Sequence, residues 1–173
     1  ILLDAAVVVG LEVGDLGILI QGIGLQVHPG RVHMGGADVG TLGKALLAHD
    51  GKKELMVQFC IAYCGILSGH DICATNTTGK LVSEATGLPV TLYLPCTQGG
   101  AQQIGARIAY NEIDLVLFFC DPKANTKDVD AIARLCDQHS IPFASNVATA
   151  EVLVQGLRRG DLDWRDIVNP KKK

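Results

Sequence analysis

Residues 71–80 read Asp71-Ile72-Cys73-Ala74-Thr75-Asn76-Thr77-Thr78-Gly79-Lys80, and the pattern changes halfway. The first five residues are a short apolar run of strand type. Asn76, Thr77, Thr78 and Gly79 form a polar loop that opens a helix, which Gly87 is suited to end. A strand that feeds a helix N-terminus is the first half of a βα unit. Backbone N–H groups and the positive end of the helix dipole face such a loop, and three hydroxyls add donors. In physical terms this is a place for an anion. The competing explanation is plain capping of the helix by Thr77 or Thr78.

The same alternation continues on both sides. Residues 44–49 form a short apolar strand. Residues 52–67 carry Leu55, Met56, Phe59, Ala62, Tyr63, Ile66 and Leu67 as a helical stripe. Residues 90–94 are a strand and 101–110 a helix. Residues 113–119 (IDLVLFF) are a continuous apolar run of the kind a strand buried on both faces requires. A helix over 127–139, a strand over 141–144 and a helix over 148–158 complete the series, and a tail starts at Gly160. Five βα units in succession call for an α/β fold with a parallel sheet covered on both faces. Ligands of such sheets bind beyond the carboxyl ends of the strands. That rule selects residues 49–53, 75–80, 95–102 and 121–128 as the place for chemistry.

Each of these segments also has an ordinary structural explanation. Lys53 can reach a phosphate, and Asp50 can orient it or cap the helix. His49, at a strand end, is more often structural than chemical. Gly99 and Gly100 start a helix and offer backbone donors, or simply make a turn. Asp121 before Pro122 is placed to contact a ligand or to cap a loop.

Composition narrows the classes. The chain has 173 residues, 48% hydrophobic and 19% charged, with net charge −3, so it can bury a full core. A non-specific nucleic-acid binder would normally be basic. The basic run 171–173 reads as a solvated tail, within a terminal segment 169–173. No apolar stretch of about 18 residues indicates a membrane helix. Asp4, Glu12 and Asp15 and the lack of a basic start argue against a signal peptide. Cys60, Cys64, Cys73, Cys96, Cys120 and Cys136 include no C-x-x-C pair and lie mostly in apolar runs. They read as reduced, buried thiols of a cytoplasmic protein. Cys60 and Cys64 lack a His or carboxylate cluster, so no metal is expected. Residues 1–43 stand apart, with ten glycines and no aromatic residue. Gly22, Gly24 and Gln26 alternate with Ile23, Leu25 and Val27, which points to a hairpin with a turn near Gly14 and Gly17.

Residues 44–168 resemble the methylglyoxal synthase family. The likeness is carried by H-D-x-K-K at 49–53, T-x-T-T-G at 75–79 and G-G-x-Q-Q-x-G at 99–105. F-F-x-D-P at 118–122, S-N-V-A-T-A-E at 145–151 and G-L-R-R-G-D-L-D-W at 156–164 extend it. The resemblance implies a three-layer α/β/α sandwich with a five-stranded parallel sheet in the order 3-2-1-4-5. It implies a lyase that converts dihydroxyacetone phosphate to methylglyoxal and phosphate, with no metal and no cofactor. A carboxylate base removes a carbon-bound proton, an enediolate forms, and phosphate leaves. Transferred by motif, Lys53, Thr75, Thr77, Thr78, Gly79 and Gly100 bind the substrate phosphate and His49 binds substrate. Asp50, Asp121 and Asp128 are the carboxylates around the reacting carbons. The partners implied are a small phosphorylated metabolite or inorganic phosphate and further copies of the chain in a homohexamer, with neither nucleic acid nor membrane. Arg134 falls where the family has an arginine at a subunit contact.

The chain departs from that pattern at named positions. The family's base is the Asp of G-G-D-Q-Q, and here the position is Ala101. The family's His before the acid matching Asp128 is absent from the shortened segment 123–127. Asn76 replaces the glycine of G-T-T-G, and Pro95, Cys96 and Thr97 replace the Ser-Gly before G-G. Loss of a base costs ~10²–10⁴ in rate, and loss of an oxyanion donor ~10²–10³. Two further expectations therefore stand beside the enzyme: a regulatory domain that binds phosphate or a phosphometabolite without chemistry, and an oligomeric assembly protein.

Overall fold

The computed structural model describes residues 43–165. The expected hairpin within residues 1–42 and the basic tail lie outside the described residues.

The described chain alternates strand and helix throughout. It runs β1 (Gly43–Ala48), α1 (Lys53–Ala62), α2 (Cys64–Leu67), β2 (Asp71–Thr75), α3 (Asn76–Thr86) and β3 (Val90–Tyr93). It continues with α4 (Gly100–Ala109), β4 (Leu115–Phe119), α5 (Lys127–Gln138), β5 (Phe143–Ala144) and α6 (Val147–Arg159). The strands form one sheet in the order 3-2-1-4-5, and every pairing is parallel. The expected fold class and strand order are therefore the observed ones.

Period-two alternation divides the two cores. Leu46 and Ala48 of β1, with Leu115, Leu117 and Phe119 of β4, face a layer built from Met56, Phe59, Val82, Ala150 and Val154. Ala45 and Leu47, with Val116 and Phe118, face the opposite layer of Ile104, Ile108, Ile132 and Cys136. Both central strands are buried along their whole length, as a strand covered by helices on both sides must be.

The structure differs from the sequence expectation in four places. The helix expected over 52–67 breaks at Tyr63, which has φ −108° and ψ 18° and ends α1. Its ring stays with Phe59, with centroids 4.7 Å apart. Strand β4 begins at Leu115 because Asp114 serves as a polar anchor: its N–H donates to the Gly43 carbonyl, and its Oδ2 accepts from the Gly43 N–H at 3.0 Å. Gly43 accordingly belongs to β1 and not to the preceding segment. Strand β5 is only two residues long; Pro142 before it has no N–H to give to the ladder, and its carbonyl accepts from Val116. Finally, the tail from Gly160 is anchored. Arg165 is fully buried, pairs with Asp114 at 3.3 Å, and donates to the carbonyls of His139 and Ser140.

That polar pole, at the amino ends of the strands, should make stability depend on pH. Burial, and then the charge of Lys44, push the His70 pKa down to about 4, against the opposing pull of Asp71 and Asp114. The unfolded chain takes up a proton as pH falls through 6.5, while the folded chain refuses it until about 4. His70 therefore contributes its full stabilisation above pH 6.5 and loses it progressively as pH falls across that window, the effect being reduced by solvent screening of the partly exposed ring. Urea unfolding across this range should show the decline, and His70→Gln should flatten it. An unchanged slope in the variant would assign the decline to other groups.

Candidate functional site

The carboxyl ends of β1, β2, β3 and β4 share the other pole, and there Thr75 joins strand to helix. It is the N-cap of α3, in extended conformation (φ −67°, ψ 148°), and no side chain caps the helix. The first-turn amides of α3 therefore have no side-chain acceptor, and the dipole favours an anion in front of them. Thr75 and Thr78 are both buried, with their hydroxyl oxygens 3.4 Å apart. Thr77 and Lys80 are exposed, and Asn76 is half-buried. Gly79 lies deeper, against the sheet. A Cβ there would overlap Leu92 and crowd Ala74 and Val90, so this glycine lets α3 pack closely.

The loop after β1 reaches the same pole. His49 is held in place: its N–H donates to the Phe119 carbonyl, and its Nδ1 accepts from the Asp121 N–H at 2.9 Å. The neutral ring then carries its proton on Nε2. Its edge meets the Phe118 ring, with centroids 5.2 Å apart. His49 thus ties the ends of β1 and β4 together. Lys53 Nζ donates to Asp50 Oδ1 at 2.5 Å; the Asp50 side chain is 95% exposed and that of Lys53 only 22%. This contact holds the Asp50 carboxyl below the usual range. Asp50 is therefore a weak base, and Lys53 is a cation held beside the anion site.

Between β3 and α4 the chain makes a tight turn. Gly99 has φ +94°, a backbone region that favours glycine. The Gly100 N–H donates to the Pro95 carbonyl at 3.0 Å, and a Cβ on Gly100 would overlap the Leu94 carbonyl. Its amide serves the turn, and its missing side chain admits the strand end. Ala101 follows in the first turn of α4, 3% exposed, within the core on that side of the sheet. Gln103 Oε1 accepts from the Leu94 N–H at 2.8 Å, and Gln102 Nε2 reaches Asp128 Oδ1 at 3.5 Å.

Asp121 and Asp128 close the pole on the β4 side. Asp121 Oδ1 accepts from the Lys123 N–H at 2.9 Å, and a Cβ on Gly51 would stand 3.1 Å from Asp121 Oδ2. The Asp121 carboxylate thus overlies the loop after β1. Asp128 sits in the first turn of α5.

Two residues of this pole carry no role in the sequence reading. Gln102 spans α4 and α5. Cys96 is half-buried in the turn after β3, three residues beyond Tyr93, the strand partner of Thr75. The signal for Cys96 was its place in one of the four selected strand-end segments; the apolar habit of free cysteine concealed it.

Comparison with known proteins follows the same lines. The family model for the MGS-like domain matches residues 56–145. The chain is 61% identical to a methylglyoxal synthase of Caldicellulosiruptor saccharolyticus, over 73% of its length and 92% of that protein. It is 50% identical to one from Geobacillus thermodenitrificans, over 75% and 92%. The crystal structure of methylglyoxal synthase from Elizabethkingia anophelis superposes with a TM-score of 0.63 at 40% identity, covering 66% of this chain and 77% of that one.

Proposed function

The chain belongs to the methylglyoxal synthase family, and from that premise we propose that it converts dihydroxyacetone phosphate into methylglyoxal and phosphate at the pole built by Lys53, Thr75 and Thr78. The observation that carries this is the 61% identity to a methylglyoxal synthase. The uncapped α3 N-terminus beside the Lys53 ammonium supports it, because phosphate needs fixed donors and a cation there. In this reading His49 offers its Nε2 proton to a substrate oxygen, and Thr77 adds an exposed hydroxyl at the site's edge.

A base must remove the carbon-bound proton. Ala101 has no group to do so, and Asp50 is held by Lys53. Asp128, in the first turn of α5 and within 3.5 Å of Gln102 next to Ala101, takes the role as a displaced substitute; Asp121 flanks the loop after β1. Proton removal gives the enediolate; loss of phosphate from it gives the enol of methylglyoxal, which takes up a proton at its terminal carbon and releases its hydroxyl proton to become the dicarbonyl product. The test is methylglyoxal formation from dihydroxyacetone phosphate by the purified full chain. Turnover above an enzyme-free blank is expected, and its absence would sink the reading.

Ala101 favours a second reading, a domain that binds a phosphometabolite without transforming it. A thermal shift with phosphate but no turnover would select it. As a family member the protein is further read as a homohexamer working in the cytoplasm. Arg134, exposed on α5, is available for a subunit contact, and all six cysteines are free. A monomer by light scattering would remove the assembly. Among the described residues no helix is long and apolar enough to cross a membrane.

A further inference from the structure

Gln102 and Gln103 follow Ala101 at the opening of α4, and each side chain reaches out of its own helix. Gln103 Oε1 accepts from the Leu94 N–H at 2.8 Å, and the Gln103 N–H donates to the Gly99 carbonyl at 3.0 Å. The start of α4 is thereby fixed to the end of β3, and Gln102 is presented from a braced turn. Its amide has a definite orientation. A Cβ on Gly99 would stand 3.8 Å from Gln102 Oε1, while Nε2 reaches across to Asp128 Oδ1 on α5 at 3.5 Å.

The neighbours of Asp128 are engaged elsewhere. The Lys127 N–H donates to Asn125 Oδ1, and Thr126 Oγ1 donates to Asp130 Oδ2, both at 2.9 Å, so the opening of α5 is held without Asp128. Among the described residues, the half-buried Asp128 carboxylate has Gln102 as its hydrogen-bond partner. We propose that Gln102 is a positioning residue for Asp128: its Nε2–H holds Oδ1 and leaves Oδ2 to take the carbon-bound proton. The proposal rests on the synthase reading above, with Asp128 as base, and adds a residue to it. At 3.5 Å the contact is longer than the ~2.7–3.2 Å of a full N–H···O bond; catalytic hydrogen bonds are often long before substrate binds and tighten in the complex. A neutral amide can aim a carboxylate without the counter-charge that makes Asp50 a weak base.

Methionine matches glutamine in length and cannot donate. Glutamate matches it in shape, has no N–H, and sets a second carboxylate beside Asp128. In the full chain, Gln102→Met should lower kcat for methylglyoxal formation about 3–10-fold, as for one hydrogen bond. KM, affinity for inorganic phosphate and melting temperature should stay at the parent's values. Gln102→Glu should lower kcat at least as far. A merely structural glutamine would move KM, phosphate affinity or melting temperature together with kcat, and that result overturns the role. An unchanged kcat in either variant overturns it as well, and both results leave the synthase reading standing. A parent chain that forms no methylglyoxal overturns the synthase reading and the role together.

Discussion

Replacing Ala101 with aspartate is expected to raise kcat for methylglyoxal formation by about 10²–10⁴-fold, the usual worth of a placed general base. Ala101 stands in the first turn of α4, behind the turn that Gly99 and Gly100 make possible. A carboxylate there meets the positive end of the helix dipole, which stabilises it and keeps it ionised. The same position is 3% exposed, so the variant should melt below the parent, because a charged group replaces a buried methyl. Gain of rate with loss of stability is the combined outcome to look for, by steady-state kinetics and thermal unfolding. A variant that folds and binds phosphate yet stays no faster than the parent would show that the missing imidazole in segment 123–127, and not the missing acid, limits the reaction. If the parent itself is fast, Asp128 carries the base, and Asp128→Asn should remove the activity.

The sheet was legible because its signals are dense and local. Residues 113–119 are apolar throughout, as only a doubly covered strand needs to be, and residues 71–80 switch from strand to polar loop to helix within ten positions. The strand-end rule then selected four segments that the fold gathers at one pole, the carboxyl ends of the strands. Other features depend on contacts between distant residues and left no local trace. Nothing near Arg165 announces that it will be buried against Asp114, 51 positions away. The glycines are ambiguous in a different manner. Gly79 and Gly100 are expected from the family motif to hold phosphate, and each also meets a packing need, one admitting Leu92 and the other the Leu94 carbonyl. A glycine required by packing and a glycine required by a ligand look alike in a sequence.

Lys53→Met is expected to weaken phosphate, and to raise KM for dihydroxyacetone phosphate, by about 10–10²-fold, the range for losing a charged hydrogen-bond partner. Lys53 begins α1, where the helix dipole disfavours a cation. It is stabilised there by Asp50 at 2.5 Å, and the Asp50 side chain is almost wholly in water while that of Lys53 is not. An incoming phosphate therefore competes with Asp50 for the same ammonium. Removing the competitor should act in the opposite direction on binding, so Asp50→Asn should tighten phosphate several-fold. If Asp50 also touches the reacting carbons, kcat should fall in that variant although binding improves. Separate measurement of phosphate affinity and of kcat resolves the two roles. Tighter binding with unchanged kcat would leave Asp50 as a counter-ion alone, and weaker binding would mean that it orients Lys53 for the phosphate instead of competing for it. The double variant tests whether Asp50 acts on phosphate through Lys53 alone. With Lys53 gone, a pure competitor has nothing left to compete for, and Asp50→Asn should then have no effect on phosphate affinity at all.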